Sequence, residues 1–277
     1  MPKVKVNDIN FNYEQCGSGE PLILIPFLTA DNACYAFQVA EYSKHYTCIS
    51  LDPRGAGETD KPAGVYTTEL FADDVSTFMQ TIGVDNAHVV GLSLGGATGL
   101  WLAAKHPEKV KSLSVHSAWA KSDLYLRTVV ESWQVMAKAF GSVAELVIRG
   151  IFPWCFTPDL YANQPEYIET LSAFVRSRPS QPVDAFIQQS DAVIAHDVES
   201  QLNKIIAPTL ITFGRYDMIT SVRFADRMTE NIKNSELIVF EDASHAPFYE
   251  KVEEFNQKTL AFLQRHSGDA ASSATHN

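Results

Sequence analysis

Two spacings of hydrophobic residues alternate along this chain. Short apolar runs, typical of strands buried on both faces, are separated by longer stretches with apolar residues at helical spacing. The predicted strands cover residues 4–6, 9–13, 22–25, 46–51, 87–90, 110–116, 209–213 and 235–240. The predicted helices between and after them include 32–42, 67–82, 96–104 and 252–265. Strands that alternate with helices in this way predict an α/β fold, with a mostly parallel central sheet flanked by helices.

The strand pattern stops between residues 120 and 203, where aromatic and aliphatic residues recur at helical spacing. We therefore predict a core built from residues 1–119 and 204–267. A helical cap, residues 120–203, is inserted after the sixth core strand. Residues 268–277 are small and polar, which predicts a disordered tail.

The local signals at helix ends are weaker than the periodic pattern. Thr68 is the candidate N-cap of the helix predicted over 67–82. A glycine-rich loop, Asp-Pro-Arg-Gly-Ala-Gly at 52–57, follows the strand predicted over 46–51. We interpret this loop as mainly structural, with Arg54 held in ion pairs.

The motif with the clearest chemical meaning is Gly-Leu-Ser-Leu-Gly at residues 91–95, between a predicted strand and a predicted helix. In this context a sharp turn lifts the serine hydroxyl above the edge of the sheet. Glycines flank the serine because the turn leaves no room for Cβ atoms. Such a pattern arises by chance in roughly one of ten chains of this length, so Ser93 needs chemical partners to be credible as a nucleophile.

A serine hydroxyl is a weak nucleophile at neutral pH and needs a base within hydrogen-bond reach. Of the eight histidines, His116 and His245 are the two that follow strands at the edge where Ser93 emerges. Open parallel sheets bind ligands at the carboxyl ends of their strands. His245 follows the last strand in a loop, whereas the neighbours of His116 point into the sheet. We predict His245 as the base.

The base in turn needs a carboxylate that holds its tautomer and stabilises the imidazolium. Asp217 lies in a short loop after the strand 209–213, at the same edge of the sheet. Asp123, in the loop after the preceding core strand, is the rival. Asp242 is too close in sequence to His245 to be its natural partner. We predict Asp217 as the acid.

With these three residues in the order Ser93, Asp217, His245, the chain resembles an α/β-hydrolase of the esterase, lactonase and meta-cleavage-hydrolase type. The resemblance extends from about residue 4 to residue 265, and four motifs carry it: 91–96, 52–57, Phe-Gly-Arg-Tyr-Asp at 213–217, and Ser-His at 244–245. It implies a serine hydrolase that cleaves carboxylic esters or lactones of small to medium acyl groups through an acyl-enzyme on Ser93. It implies no metal and no organic cofactor.

The resemblance also implies an oxyanion hole made by the backbone N–H of Leu94 and an N–H from the loop after the strand 22–25. Relatives usually carry His-Gly there, whereas this chain has Pro26, Phe27 and Leu28. Leu28 aligns best with the usual donor, Phe27 is the alternative, and proline has no N–H to donate. Enol-lactone hydrolases of the family carry a Leu-x-x-Asp run similar to the one that starts at Leu28, which favours lactones or compact esters.

Aromatic residues in the cap and next to the predicted oxyanion loop suggest an apolar pocket, although helix packing also accounts for aromatic residues in a cap. The predicted pocket residues are Phe27, Trp119, Trp133, Phe140 and Trp154. Two other functions stay open, namely a hydrolase of carbon–carbon bonds in vinylogous diketones and a non-catalytic ligand receptor that keeps the triad. A serine at position 93 argues against the dehalogenases and epoxide hydrolases of the family, which need a carboxylate there.

Charge and composition narrow the range of partners that we expect for this protein. A formal net charge of −11 argues against a nucleic-acid footprint or an anionic membrane surface. The first residues lack the apolar region of a signal peptide, and the longest apolar run, 22–28, is too short to span a bilayer. Four cysteines without metal-ligand spacing suggest reduced thiols. We expect a cytoplasmic protein whose partner is a small-molecule ester or lactone, and the oligomeric state stays open.

Overall fold

One eight-stranded sheet runs through residues 3–268, the part of the chain that the computed structural model describes. Its strands are β1 (Lys3–Val6), β2 (Ile9–Cys16), β3 (Glu20–Ile25), β4 (Tyr46–Leu51), β5 (Ala87–Leu92), β6 (Val110–His116), β7 (Thr209–Gly214) and β8 (Ser235–Phe240). They lie in the order β1-β2-β4-β3-β5-β6-β7-β8. β2 pairs antiparallel with β1 and β4, and the other neighbours are parallel. The predicted mostly parallel sheet is confirmed.

Helices flank this sheet and fill the interval between β6 and β7. The α-helices of the described chain are α1 (Ala36–Tyr42), α2 (Thr68–Thr81), α3 (Leu94–Lys105), α4 (Leu124–Phe140), α5 (Val143–Leu146), α6 (Phe152–Cys155), α7 (Pro158–Asn163), α8 (Pro165–Ser177), α9 (Val183–Ala195), α10 (Ala225–Asn231), α11 (Pro247–Glu250) and α12 (Val252–Arg265). A π-helical turn, Val147–Ile151, joins α5 to α6. Helices α4 to α9 fall in the predicted cap segment. Of the predicted disordered tail, residues 269–277 lie outside the described residues.

The central strands are buried on both faces, as their unbroken apolar runs predicted. All six residues of β5 and of β7 are buried, and β3 and β6 are buried over most of their length. Such burial follows from helices lying on both sides of parallel strands. It brings the carboxyl ends of β5, β6, β7 and β8 to one edge of the sheet, where the candidate chemistry is concentrated.

The predicted N-cap of α2 is wrong by one residue. Thr67, in extended conformation, accepts a hydrogen bond from the N–H of Leu70 at 3.0 Å and caps the helix. Thr68 is instead the first helical residue and is buried. Its hydroxyl contacts Nδ1 of His196 at 2.7 Å, so a long-range contact with the cap occupies the side chain that sequence reasoning assigned to capping.

The loop at 52–57 has the structural role predicted for it. The guanidinium of Arg54 pairs with Asp74 and Asp8, each at 2.7 Å. A Cβ atom on Gly57, at a φ of 50°, would lie 2.1 Å from the carboxylate of Asp52, so this turn requires glycine. These contacts hold the loop against the core and leave the Arg54 charge paired.

Two buried histidines make the stability of this fold depend on pH. Nε2 of His196 lies 3.0 Å from the carbonyl oxygen of Trp119 and donates to it, so Nδ1 is left to accept from the Thr68 hydroxyl. Nδ1 of His116 lies 2.8 Å from the hydroxyl of Thr212. Burial lowers the pKa of His116 to about 3 and that of His196 to about 4, from 6.5. Both rings are therefore neutral in the folded protein near neutral pH.

We expect the free energy of unfolding to fall by roughly 2 kcal/mol for each of these histidines between about pH 7.5 and about pH 5. Below its ordinary pKa each histidine is protonated in the unfolded chain but not in the folded one, so stability is lost as the pH falls. Urea titrations at the two pH values will measure it. His196→Gln should reduce the loss by roughly 2 kcal/mol, whereas His45→Gln, at an exposed position, should keep all of it. An undiminished loss in His196→Gln would contradict this account.

Candidate active site

Ser93 occupies a strained turn between β5 and α3. Its φ of 50° and ψ of −113° are unusual for a residue with a Cβ atom, and such strain is concentrated at functional sites in proteins. Its N–H donates to the carbonyl of His116 at 2.8 Å, and its carbonyl accepts from Ala97 at 2.9 Å. A Cβ atom on Gly91 would lie 2.2 Å from the carbonyl oxygen of Gly95, which explains why this turn needs glycine.

The same turn is pressed against the loop that follows β3. A Cβ atom on Gly95 would lie 2.0 Å from the carbonyl oxygen of Ile25, so the start of α3 and the end of β3 are in close contact. Leu94 is the first residue of α3, and the first N–H groups of a helix have no acceptor within it. Leu28 lines the same cavity as Ser93. The assignment of Leu94 and Leu28 as oxyanion donors stays a prediction.

The loop after β3 carries a backbone strain of its own. Thr29 has a φ of 73°, an outlier for a β-branched residue. It belongs to a turn in which the N–H of Ala30 donates to the carbonyl of Phe27 at 3.1 Å. Phe27, Leu28 and Thr29 all line the cavity above Ser93. Strain therefore marks both sides of the place predicted for the oxyanion.

The structure brings together the predicted base and acid. Nδ1 of His245 lies 2.8 Å from Oδ2 of Asp217, and both side chains are buried. The other carboxylate oxygen of Asp217 accepts from the N–H groups of Ile219 at 2.7 Å and Thr220 at 2.9 Å. Both oxygens of the acid are thus committed, which fixes the carboxylate relative to the imidazole.

The rival acid, Asp123, has a different role. It caps α4 by accepting from the N–H of Leu126 at 2.7 Å, and it pairs with Arg223 at 2.8 Å. Arg223 and the N–H of Leu126 lower the pKa of the Asp123 carboxyl against the effect of burial. Its carboxylate is held at the start of the cap and is not bonded to His245.

Two hydroxyl groups support this pair and were missed by sequence reasoning. The Thr220 hydroxyl donates to the carbonyl of Ser117 at 2.7 Å, and its oxygen lies 3.1 Å from both Nδ1 of His245 and Oδ2 of Asp217. The Ser117 hydroxyl donates to the carbonyl of His245 at 2.8 Å. Ser117 has a φ of 48°, another strained residue at the site. No motif marks either residue, because their roles depend on packing between loops far apart in sequence.

A half-buried glutamate bonds the histidine loop to the cap segment. The two carboxylate oxygens of Glu250 accept from the N–H groups of Ser244 and Thr157, each at 2.6 Å. The N–H of Ala246 donates to the carbonyl of Cys155 at 3.1 Å. Burial raises the pKa of Glu250. The residues on either side of the histidine are thereby bonded either to the cap or to a carboxylate shared with it.

Ser93 and His245 face one largely apolar cavity of about 70 Å³ beneath the cap segment. Three of the five predicted pocket residues, Phe27, Trp119 and Trp133, line it. The π-helical turn contributes two aliphatic side chains, and Cys155 contributes a thiol whose pKa burial raises. Within residues 3–268 no group of three or more His, Cys, Asp or Glu side chains is arranged to hold a metal ion. None of the described helices is long and apolar enough to cross a membrane.

The structure places the other two predicted pocket residues elsewhere. Phe140 is the last residue of α4, about 10 Å along the helix axis from Trp133, and is 45% exposed. Trp154 lines a separate surface pocket. In the short helix α6, Phe152 and Cys155 share the face toward the cavity, and Trp154 between them points away. Phe140 and Trp154 therefore do not line the cavity that Ser93 and His245 face, because their positions depend on the extent of α4 and the orientation of α6, which the sequence pattern does not give.

Comparison with known proteins agrees with this fold. The sequence profile of the alpha/beta hydrolase fold family matches residues 20–252. The chain is 28% identical to 3-oxoadipate enol-lactonase 2 of Acinetobacter baylyi over 262 residues, covering 93% of this chain and 94% of that protein. The crystal structure of the enol-lactonase from Burkholderia xenovorans LB400 superposes with a TM-score of 0.85 at 25% identity, covering 95% of this chain and all of that one. Est816, described as an N-acyl homoserine lactone degrading enzyme, superposes with a TM-score of 0.81 at 26% identity, covering 94% of this chain and 100% of its own.

Proposed function

Because this chain belongs to the alpha/beta hydrolase fold family, we propose that it is a serine hydrolase of carboxylic esters or lactones with small to medium acyl groups. The observation that carries the proposal is the 2.8 Å contact between His245 and Asp217, made where His245 shares a cavity with Ser93. A serine, a base and an orienting carboxylate at one cavity form the arrangement that activates a hydroxyl for acyl transfer.

In the proposed reaction, His245 accepts the proton of Ser93 as the hydroxyl oxygen attacks the carbonyl carbon of the substrate. The N–H groups of Leu94 and Leu28 stabilise the negative charge that develops on the carbonyl oxygen. His245 then gives the proton to the leaving alkoxide, and an ester bond joins the acyl group to Ser93. A water molecule, deprotonated by His245, releases the acid and restores the serine. Asp217 keeps Nδ1 of His245 protonated throughout.

The cavity and the relatives support the proposed substrate class. Its walls are aromatic and aliphatic apart from a few hydroxyl, thiol and imidazole groups, which suits an acyl chain more than a sugar or a peptide. Relatives that act on an enol-lactone and on N-acyl homoserine lactones support lactones beside open-chain esters. The small volume of the cavity favours compact acyl groups.

The proposal predicts covalent labelling of Ser93 by an alkyl phosphonate and turnover of esters or lactones by the wild-type protein. Mass spectrometry of the labelled peptide will locate the adduct. Rates across p-nitrophenyl esters of increasing acyl length, simple lactones and N-acyl homoserine lactones will define the substrate class. Adducts on another residue would refute the nucleophile. Cleavage of a dienol ketone alone, or a single turnover with retained product, would favour a carbon–carbon hydrolase or a receptor.

A further inference from the structure

A second cavity lies beside the catalytic one, between the core loop at Thr29–Asp31 and the cap residues around 142–145 and 174–181. We call it the outer chamber. It has a volume of about 330 Å³ and is more polar than its neighbour. The side chains that line both cavities are Phe27, Thr29, Val147, Phe152 and Tyr249. Since the two cavities share these five side chains, they lie next to each other, and a substrate with its scissile bond at Ser93 has to pass these side chains to reach the outer chamber.

The chamber contains a guanidinium that is only partly used. Nε of Arg178 contacts both carboxylate oxygens of Asp31, at 2.9 Å and 3.2 Å. The two terminal amino groups of Arg178 form no hydrogen bond with any other residue in the described range 3–268. Four N–H groups of a rigid planar donor are therefore free. The remaining charges of the chamber, Glu145 and Arg176, pair with each other at 2.9 Å.

A buried acceptor in the same chamber also lacks a partner. Gln181 is 7% exposed, and its Nε2 donates to the carbonyl of Gly55 and to Oε1 of Gln189, each at 2.8 Å. Two acceptors for one nitrogen fix which amide atom is oxygen. Its Oε1 has no hydrogen-bond partner among the described residues. A buried acceptor left without a donor is costly, so this side of the chamber is suited to a hydroxyl or another hydrogen-bond donor of a ligand and not to the end of an apolar chain. A carboxylate only accepts, so it can bind at Arg178 but not at this oxygen.

We propose that the outer chamber binds a carboxylate at the end of the substrate remote from the scissile bond, and that Arg178 is the residue that recognises it. Two parallel N–H groups of a guanidinium match the two oxygens of a carboxylate, which a lysine cannot do. Asp31 holds Nε, so the side chain is already oriented and little rotamer freedom is lost on binding. This inference rests on the proposed function and narrows it to acidic esters or lactones.

The length of such a substrate follows from the loop that connects the two sites. Leu28 and Asp31 are three residues apart, so their Cα atoms are separated by at most about 11 Å. The carboxylate and the scissile carbonyl therefore need only a short chain between them. In monoesters of dicarboxylic acids with about four to six carbons, the two carboxyl carbons are roughly 4 to 6 Å apart, which lies within this upper limit. The corresponding diesters have a similar shape but lack the carboxylate charge, so they are the reference substrates for the monoesters.

The test compares monoethyl and diethyl glutarate as substrates of the wild type, Arg178→Gln and Arg178→Lys. We expect the ratio of kcat/KM for the monoester to that for the diester to fall roughly 10- to 100-fold in Arg178→Gln. Arg178→Lys keeps a positive charge that can pair with Asp31 but loses the paired N–H groups, so the ratio should fall there as well. Arg149→Gln is the matched control. Arg149 also bonds through Nε, to Glu145, but it is 67% exposed and does not line the chamber. Its replacement should leave the ratio unchanged.

A binding measurement separates failure of this inference from failure of the proposed function. Calorimetry of monoethyl glutarate with Ser93→Ala, and with Ser93→Ala combined with Arg178→Gln, needs no turnover. We expect the second protein to bind roughly 10- to 100-fold more weakly. An absence of hydrolysis of both esters would refute the proposed function. An unchanged ratio in both Arg178 variants, or binding that is absent or insensitive to Arg178, would overturn the role of the chamber.

Discussion

Replacing Ser93 with alanine is expected to lower kcat for ester hydrolysis by about a million-fold, because the nucleophile and its base act as one unit. Alanine keeps the Cβ atom and the backbone strain at a φ of 50°, so the turn itself should persist. The remaining activity should be that of a site that binds and polarises the carbonyl without attacking it. Steady-state rates at saturating substrate, measured on freshly purified protein, will give the ratio.

Ser132→Ala is the matched control for this change, since Ser132 is an exposed serine of α4. It should keep wild-type turnover. The urea midpoints of both variants should match that of the wild type, which shows that the loss in Ser93→Ala is chemical. Turnover of Ser93→Ala within tenfold of the wild type would exclude Ser93 as the nucleophile.

Asp217→Asn is expected to lower kcat by about ten thousand-fold. An amide in place of the carboxylate presents an N–H toward Nδ1 of His245, which favours the tautomer with its proton on Nε2. That nitrogen can then no longer accept a proton from Ser93. Because Asp217 Oδ1 also accepts from the N–H groups of Ile219 and Thr220, one oxygen of the asparagine can keep those bonds and hold the loop. Rates and far-UV circular dichroism of the same samples will separate catalysis from folding.

Asp123→Asn provides the comparison for this prediction. Its carboxylate caps α4 and pairs with Arg223, so the expected effect is on the cap and not on His245. We expect turnover within tenfold of the wild type and a loss of stability of at most about 1 kcal/mol, because asparagine caps a helix as well as aspartate does and only the partly exposed ion pair with Arg223 is lost. A larger loss of turnover in Asp123→Asn than in Asp217→Asn would show that the acid was assigned to the wrong residue.

The sheet could be predicted from the sequence because its strands are buried on both faces. A strand of this kind is an unbroken apolar run, and the bounds of β6 and α12 agree with the predicted 110–116 and 252–265. The cap boundaries, taken from the place where such runs stop, stay a prediction. The sequence pattern does not decide which residue caps a helix. Thr67 and Thr68 are both threonines at a helix start, and only the packing of Thr68 against His196 decides between them.

The catalytic candidates could be located because parallel strands bring their carboxyl ends to one edge. That rule places a residue by its position after a strand, so it works for Asp217 and His245. It says nothing about Thr220 or Ser117, whose hydroxyls matter through contacts between separate loops. The outer chamber could not be predicted from the sequence pattern, because Asp31 and Arg178 are 147 residues apart and meet only when the cap segment packs on the core.

The carboxylate of Glu250 has a consequence for any attempt to change substrate range by exchanging the cap with that of a relative. Its two hydrogen bonds join Thr157 of the cap segment to the residue before His245. A chimera that shifts the backbone N–H of residue 157 out of reach, or places proline there, removes the donor to one oxygen of this half-buried carboxylate and loosens the loop that carries His245. Grafts that keep residues 154–157 of this chain should retain turnover, and grafts that replace them should need compensating changes in the core. In this protein, the cap segment and the loop that carries His245 are therefore not independent modules.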